Sequence, residues 1–156
     1  MGQANYAVPY LAPNTTGKTI LNGVNYASGG GGILNATGSL FVSIFLTLLF
    51  MWLVCDYSIL RCMNLFSQTN RLGMDIQIDY FNITRKQINK LLGESEARDY
   101  VMKKSLFSII VGSNDFLNNY LLPLVSTGVR VSQNPDAFVD DMINHFRIQL
   151  YVNTSI

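Results

Sequence analysis

The sequence predicts an α/β layered domain, and three observations carry the prediction. The run "LFSIIV" (Leu106–Val111) is almost wholly apolar and rich in β-branched residues, the texture of a strand buried on both faces. Amphipathic helical patterns stand before and after it in the chain. Helix, strand and helix in alternation belong to layered α/β architectures. The 156 residues suffice for one domain with a real core and are too few for two comfortable ones.

The chain opens on "MGQANYAVPYLAPNTTG", with Pro9, Pro13 and Gly17 as breakers, and reads as a surface loop. It has no basic segment followed by an apolar core, so it is not a signal peptide. The hydrophobic strand that begins most α/β domains is absent, which suggests a fold incomplete at its start. "TILNGVNYAS" (Thr19–Ser28) is β-leaning and is expected to be a strand that delivers the glycine run Gly29–Gly32. Glycine permits positive φ and close approach of backbone to a ligand. A plain solvent loop would explain the same residues.

Next comes "FVSIFLTLLFMWLVC" (Phe41–Cys55), and no charged residue lies between Lys18 and Asp56. Leu40 to Cys55 would make a helix of about 24 Å, short of the ~30 Å hydrocarbon core of a bilayer. Extension to Leu60 reaches a spanning length at the cost of including Asp56.

From Arg71 the texture changes. "RLGMDIQIDYFNITRKQINKLLG" sets Ile76, Tyr80, Ile83, Ile88 and Leu91 at roughly helical spacing, with Gly93 placed to end the helix. "ESEARDYVMKKS" has acids first and Lys103 and Lys104 last, as a helix dipole favours. After the expected strand, Asn134 can cap a final helix, Pro135 suits its first position and Asp136 its first turn. Phe138, Met142, Phe146 and Leu150 would line one face of it. The chain reaches "YVNTSI" without a closing strand, a second sign of a partial fold.

Composition narrows the function classes. A net charge of +1 supplies no global field for nucleic acid. With 49% of residues hydrophobic, the chain is not a disordered one. Cys55 and Cys62 would lie about 10 Å apart along one helix, too far to bridge. With His145 the only histidine and no Cys-x-x-Cys, no structural zinc is expected, and no metal or cofactor is called for. "GGGGILNATG" lacks the Gly-Lys-Ser/Thr of a phosphate-binding loop.

"VGSNDF" is the most informative stretch. Gly112 lets the backbone turn out of the expected strand, and Asn114 stands at its C-terminal end, where open α/β sheets bind ligands. A side-chain amide there is a neutral donor of the kind that stabilises an oxyanion. Asp115 could orient the loop by accepting nearby backbone N–H groups. An ordinary Asx turn accounts for the same residues, because Asn and Asp favour turns.

"NGVNYASGGGGIL" and "SLFSIIVGSNDFLNNYL" together resemble the plant GDSL-type esterase/lipases of the SGNH hydrolase superfamily. The resemblance continues through "YAVPYLAPNTTG", "RLGMDIQIDYFNITRKQINKLLG" and "FVDDMINHFRIQL", covering residues 1–41 and about 71–151. It implies a three-layer α/β/α, flavodoxin-like fold, here incomplete at both ends. It implies a hydrolase of acyl or lipid esters that is secreted. By this resemblance Gly30 donates its backbone N–H to an oxyanion hole, with Gly29 the near alternative. Gly112, Ser113, Asn114 and Asp115 match a second motif, in which the Asn114 side chain donates to the same hole.

The departures are as informative. The nucleophilic serine of a Gly-Asp-Ser motif is missing, and so is the Asp-x-x-His of the triad. His145 lies outside any family motif and reads as a surface or packing residue. Ser113 has no base in sight and is not a nucleophile, and Ser28 fits the glycine motif rather than a nucleophile elbow. The chain alone is therefore expected to be inactive. Residues 42–70 have no counterpart in the resembled family and read as an insertion, translated from a retained intron, within a single partial domain spanning 1–156. The rival reading is a non-enzymatic membrane protein using residues 40–60 as a span, which would have to leave and re-enter a sheet between two parts of one site. Sequons at Asn14, Asn35, Asn82 and Asn153 would suit N-glycosylation of a secreted protein.

Overall fold

The computed structural model describes residues 6–37, 71–121 and 133–154, with side chains to Tyr151. The expected insertion at 42–70 and the rival span at 40–60 lie outside the described residues. No helix among the described residues is long and apolar enough to cross a membrane. Two compact units form, one from Met1–Ala27 with Ile76–Ile110 and one from Ser28–Asp75 with Val111–Ile156.

In the first unit, β1 (Val8–Pro9) pairs in parallel with β2 (Val24–Asn25), Val8 opposite Val24 and Pro9 opposite Asn25. The crossover between them contains a 3₁₀ helix, Gly17–Asn22. Only part of the expected strand Thr19–Ser28 is therefore strand. Its first residues coil into the 3₁₀ turn and bury Ile20.

Helix α1 (Met74–Leu92) ends at Gly93, whose φ of 81° and ψ of 157° are open to glycine and carry the chain out of the helix. Its buried apolar positions are Met74, Ile78 and Ile88, while Ile76, Ile83 and Leu91 stay exposed. Periodicity identifies the helix. Which stripe turns inward depends on what packs against it, here Ile20 and Ala97 around Ile88. Helix α2 (Glu94–Asp99) runs on as a π turn, Tyr100–Lys104. The Tyr100 hydroxyl donates to the Leu21 carbonyl and ties this segment to the 3₁₀ turn.

Leu106–Val111 corrects the expectation of a buried strand. It joins no sheet, and Leu106 and Ile110 are 73% and 96% exposed. A strand buried on both faces needs paired neighbours at both edges and cover on both sides. None of the described residues supplies them.

In the second unit, α3 (Pro135–Thr154) starts as expected: the Asn134 side chain accepts the Ala137 N–H at 2.8 Å. Phe138 (1% exposed) and Met142 pack with Ile33 and Tyr120, flanked by Leu34, Val111, Phe116 and Phe146. The Tyr120 and Phe138 rings stack at 4.7 Å, and Phe116 meets Phe138 edge-on at 5.5 Å. The buried stripe of α3 ends on Gln149 and leaves Leu150 exposed. Eleven residues past Phe138 lies about 20° from it around the helix, and twelve lies about 120° away.

Candidate functional site

The glycine run forms a tight turn. The Gly31 N–H donates to the Ser28 carbonyl at 3.2 Å, and Gly30 takes a φ of 78° at the third position, where a type II turn needs glycine. Gly32 is required for a different reason. A Cβ there would stand 2.6 Å from both carboxylate oxygens of Asp115. Gly29 is exposed with open space around it.

The motif at 112–115 closes onto this loop from the other side. Gly112 has a φ of 111° and turns the chain into a helical segment that becomes a π turn at Asp115–Tyr120. Such local π geometry recurs at functional sites. Asp115 is fully buried, and its carboxylate accepts the Ile33 N–H at 3.0 Å, the Leu34 N–H at 2.9 Å and the Thr37 hydroxyl at 2.5 Å. Asn114 donates from Nδ2 to the Gly31 carbonyl at 2.8 Å and accepts at Oδ1 from Asn118 at 3.2 Å. Those two bonds fix which end of the amide is the donor. Two sequence motifs separated by 83 residues thus meet side chain to backbone.

Further bonds hold the loop. Ser28 Oγ accepts the Leu72 N–H at 2.9 Å, and the Gly32 carbonyl accepts the Met74 N–H at 3.0 Å. Gln149, on α3, donates from Nε2 to the Ile33 carbonyl at 2.9 Å and to Asp75 Oδ1 at 2.8 Å. The backbone of Gly31–Leu34 is therefore gripped by Asn114, Asp115 and Gln149.

Comparison with known proteins then decides the family. Three GDSL esterase/lipases of Arabidopsis thaliana are 57%, 53% and 42% identical to this chain over 96% of its length. The chain belongs with the GDSL esterase/lipases. It spans about a third of the length of these relatives, 33%, 32% and 33% of each. No family model matches the chain, and no solved structure matches it. The GDSL relatives imply an SGNH-type α/β fold, of which the described residues form helices and one small sheet.

Against the GDSL motifs, Gly30, Asn114, Gly112 and Asp115 are brought together in one unit, and Gly29 and Ser113 lie exposed at its surface. His145 is exposed on α3, its Nδ1 2.9 Å from the Asp141 carbonyl and 3.2 Å from Asp141 Oδ1. Of the sequons, Asn14 and Asn35 are exposed, while Asn82 lies half-buried on α1. The hydroxyl-bearing residues Thr37 and Thr84, which complete the Asn35 and Asn82 sequons, are buried and hydrogen-bonded within the fold. The Asn153 side chain falls outside the description. Among the described residues no group of three or more His, Cys, Asp or Glu could hold a metal ion.

Sequence reasoning missed Thr37 and Gln149. Thr37 carried no signal beyond its sequon. Gln149 carried one, a polar residue on the stripe begun by Phe138 and Met142.

Proposed function

We propose that this chain carries the oxyanion-binding part of a GDSL-type hydrolase of acyl or lipid esters. The Gly30 N–H and the second N–H of Asn114 Nδ2 are its donors. The observation that carries this reading is the bond from Asn114 Nδ2 to the Gly31 carbonyl, which holds a side-chain donor against the Gly30 turn. Donors fixed in advance need no reorganisation as negative charge develops on the substrate oxygen, and losing one costs about 10²–10³ in rate. In a chain with the full site, a serine would attack the ester carbonyl, a histidine would take its proton, and Gly30 and Asn114 would hold the tetrahedral oxyanion.

This sequence has no Gly-Asp-Ser and no Asp-x-x-His, so the chain alone turns over no ester. Hydrolysis of p-nitrophenyl butyrate by the purified chain tests this. The expected rate equals that of buffer, and turnover that disappears in Asn114→Ala would overturn the claim of inactivity.

In this reading residues 42–70 are an insertion within one partial three-layer α/β/α domain, and the complete protein is secreted. Support comes from the Ser28–Leu72 and Gly32–Met74 bonds, which hold the chain before and after that segment side by side. Insertion between two points already held together costs little loop entropy. Sequencing transcripts across the codons for Phe41 to Arg71 tests it. Reads that join these codons almost directly are expected, and abundant translated transcripts retaining the segment would count against it.

A further inference from the structure

We infer that Gln149 is a positioning residue for the oxyanion loop, acting through the Ile33 carbonyl. Its relevance to catalysis rests on reading Gly30 and Asn114 as the donors; the clamp itself does not. Gln149 is 5% exposed on an otherwise apolar stripe of α3. A buried amide in such a place is costly unless its hydrogens are used. Both reach acceptors: the Ile33 carbonyl at 2.9 Å and Asp75 Oδ1 at 2.8 Å.

The two acceptors lie on different pieces of the site. Ile33 belongs to the loop whose amides Asp115 holds, and Asp75 belongs to the first turn of α1. Next to Asp75, the Met74 N–H holds the Gly32 carbonyl. One side-chain nitrogen on α3 thus joins the glycine loop to the start of α1, across 116 residues to Ile33 and 74 to Asp75. Asp115 pulls the Ile33 N–H one way and Gln149 holds its carbonyl from the other. The two peptides flanking Ile33 are thus held, Gly32–Ile33 by Met74 and Asp115 and Ile33–Leu34 by Gln149 and Asp115, directly after the Gly31 carbonyl that seats Asn114. A leucine or methionine would fill the same space without orienting anything.

The test uses the full chain without substrate. Gln149→Met keeps the volume and removes both donors; Gln149→Glu keeps the shape and, when ionised, also donates nothing. Backbone hydrogen exchange is read at Gly31, Ile33, Leu34, Leu72 and Met74, with Phe138–Met142 of α3 as the reference. Both variants are expected to speed exchange at the loop amides by roughly ten- to a hundredfold while the reference amides hold their protection. In the unchanged protein, the Gln149 side-chain amide protons are expected to exchange slowly, because both are hydrogen-bonded. Unchanged loop exchange in both variants, or a uniform loss that includes α3, would overturn the proposal and leave Gln149 a packing residue. Because the readout needs no turnover, failure of the ester-hydrolase reading shows separately, in the assays of that reading.

Discussion

The Asp115 carboxylate holds the Ile33 N–H at 3.0 Å across 82 residues of sequence, and it does so with no exposure to solvent. The same carboxylate takes the Leu34 N–H and the Thr37 hydroxyl. A buried anion is tolerated only where donors replace its water, and here three do. Asp115→Ala strands those donors and is expected to cost about 3 kcal/mol or more. Asp115→Asn, which retains one acceptor oxygen, should cost less. Urea denaturation of the two variants checks the order; equal stability of Asp115→Ala and the parent would mean that these bonds do not hold the loop in place.

The glycine run separates into tolerant and intolerant positions. Gly32→Ala places a Cβ on the Asp115 carboxylate, which cannot retreat without breaking its bonds to Ile33 and Leu34. The expected loss is about 1–3 kcal/mol. Gly29→Ala meets open space and should fall within about 0.5 kcal/mol of the parent. Parallel denaturation curves read the difference directly, and similar effects at the two positions would contradict the packing described.

At the start of α3, Asn134→Ala removes the acceptor of the Ala137 N–H. A loss of about 1 kcal/mol is expected, with Asn134→Asp nearly neutral. Helical circular dichroism through a thermal scan distinguishes the two substitutions.

The tyrosines of the first unit predict an alkaline response. Tyr10 stacks on Tyr80 at 4.2 Å, and the Tyr26 hydroxyl donates to Thr84 Oγ1 at 2.8 Å. Burial raises the Tyr26 phenol above its ordinary value of 10.0; the Thr84 bond works against the rise and Tyr10 adds to it. Burial, then Tyr80, raises Tyr10 likewise. As pH climbs, the unfolded chain releases these protons first. Stability from this source is therefore whole below about pH 10 and is lost as pH passes through the raised folded values. Tyr26→Phe should cost about 1 kcal/mol at neutral pH and flatten that alkaline decline. Denaturation midpoints taken from pH 8 upward test both parts together.

What the sequence by itself determined is local. The Gly29–Gly32 and Gly112–Asp115 stretches were paired by their resemblance to GDSL motifs, whereas local pattern alone has Gly93 end α1 and Asn134 and Pro135 open α3. Each helix boundary rests on spacing, caps or backbone freedom within a few residues, where physics depends little on the remainder of the chain. The choice of buried stripe on α1 was not legible, because Ile76 and Ile78 fit the helical pattern equally well until Ile20 and Ala97 pack around Ile88. Nor was the fate of Leu106–Val111, since an apolar run becomes a strand only when neighbours pair with it. Tertiary structure alone decided that Asp115 would hold Ile33 and Leu34, that Gly32 would leave room for that carboxylate, and that Gln149 would reach Ile33 from α3. The physical reason is common to all three: a buried polar group must find its partner wherever the chain brings one, and here the partners lie 81 to 116 residues away.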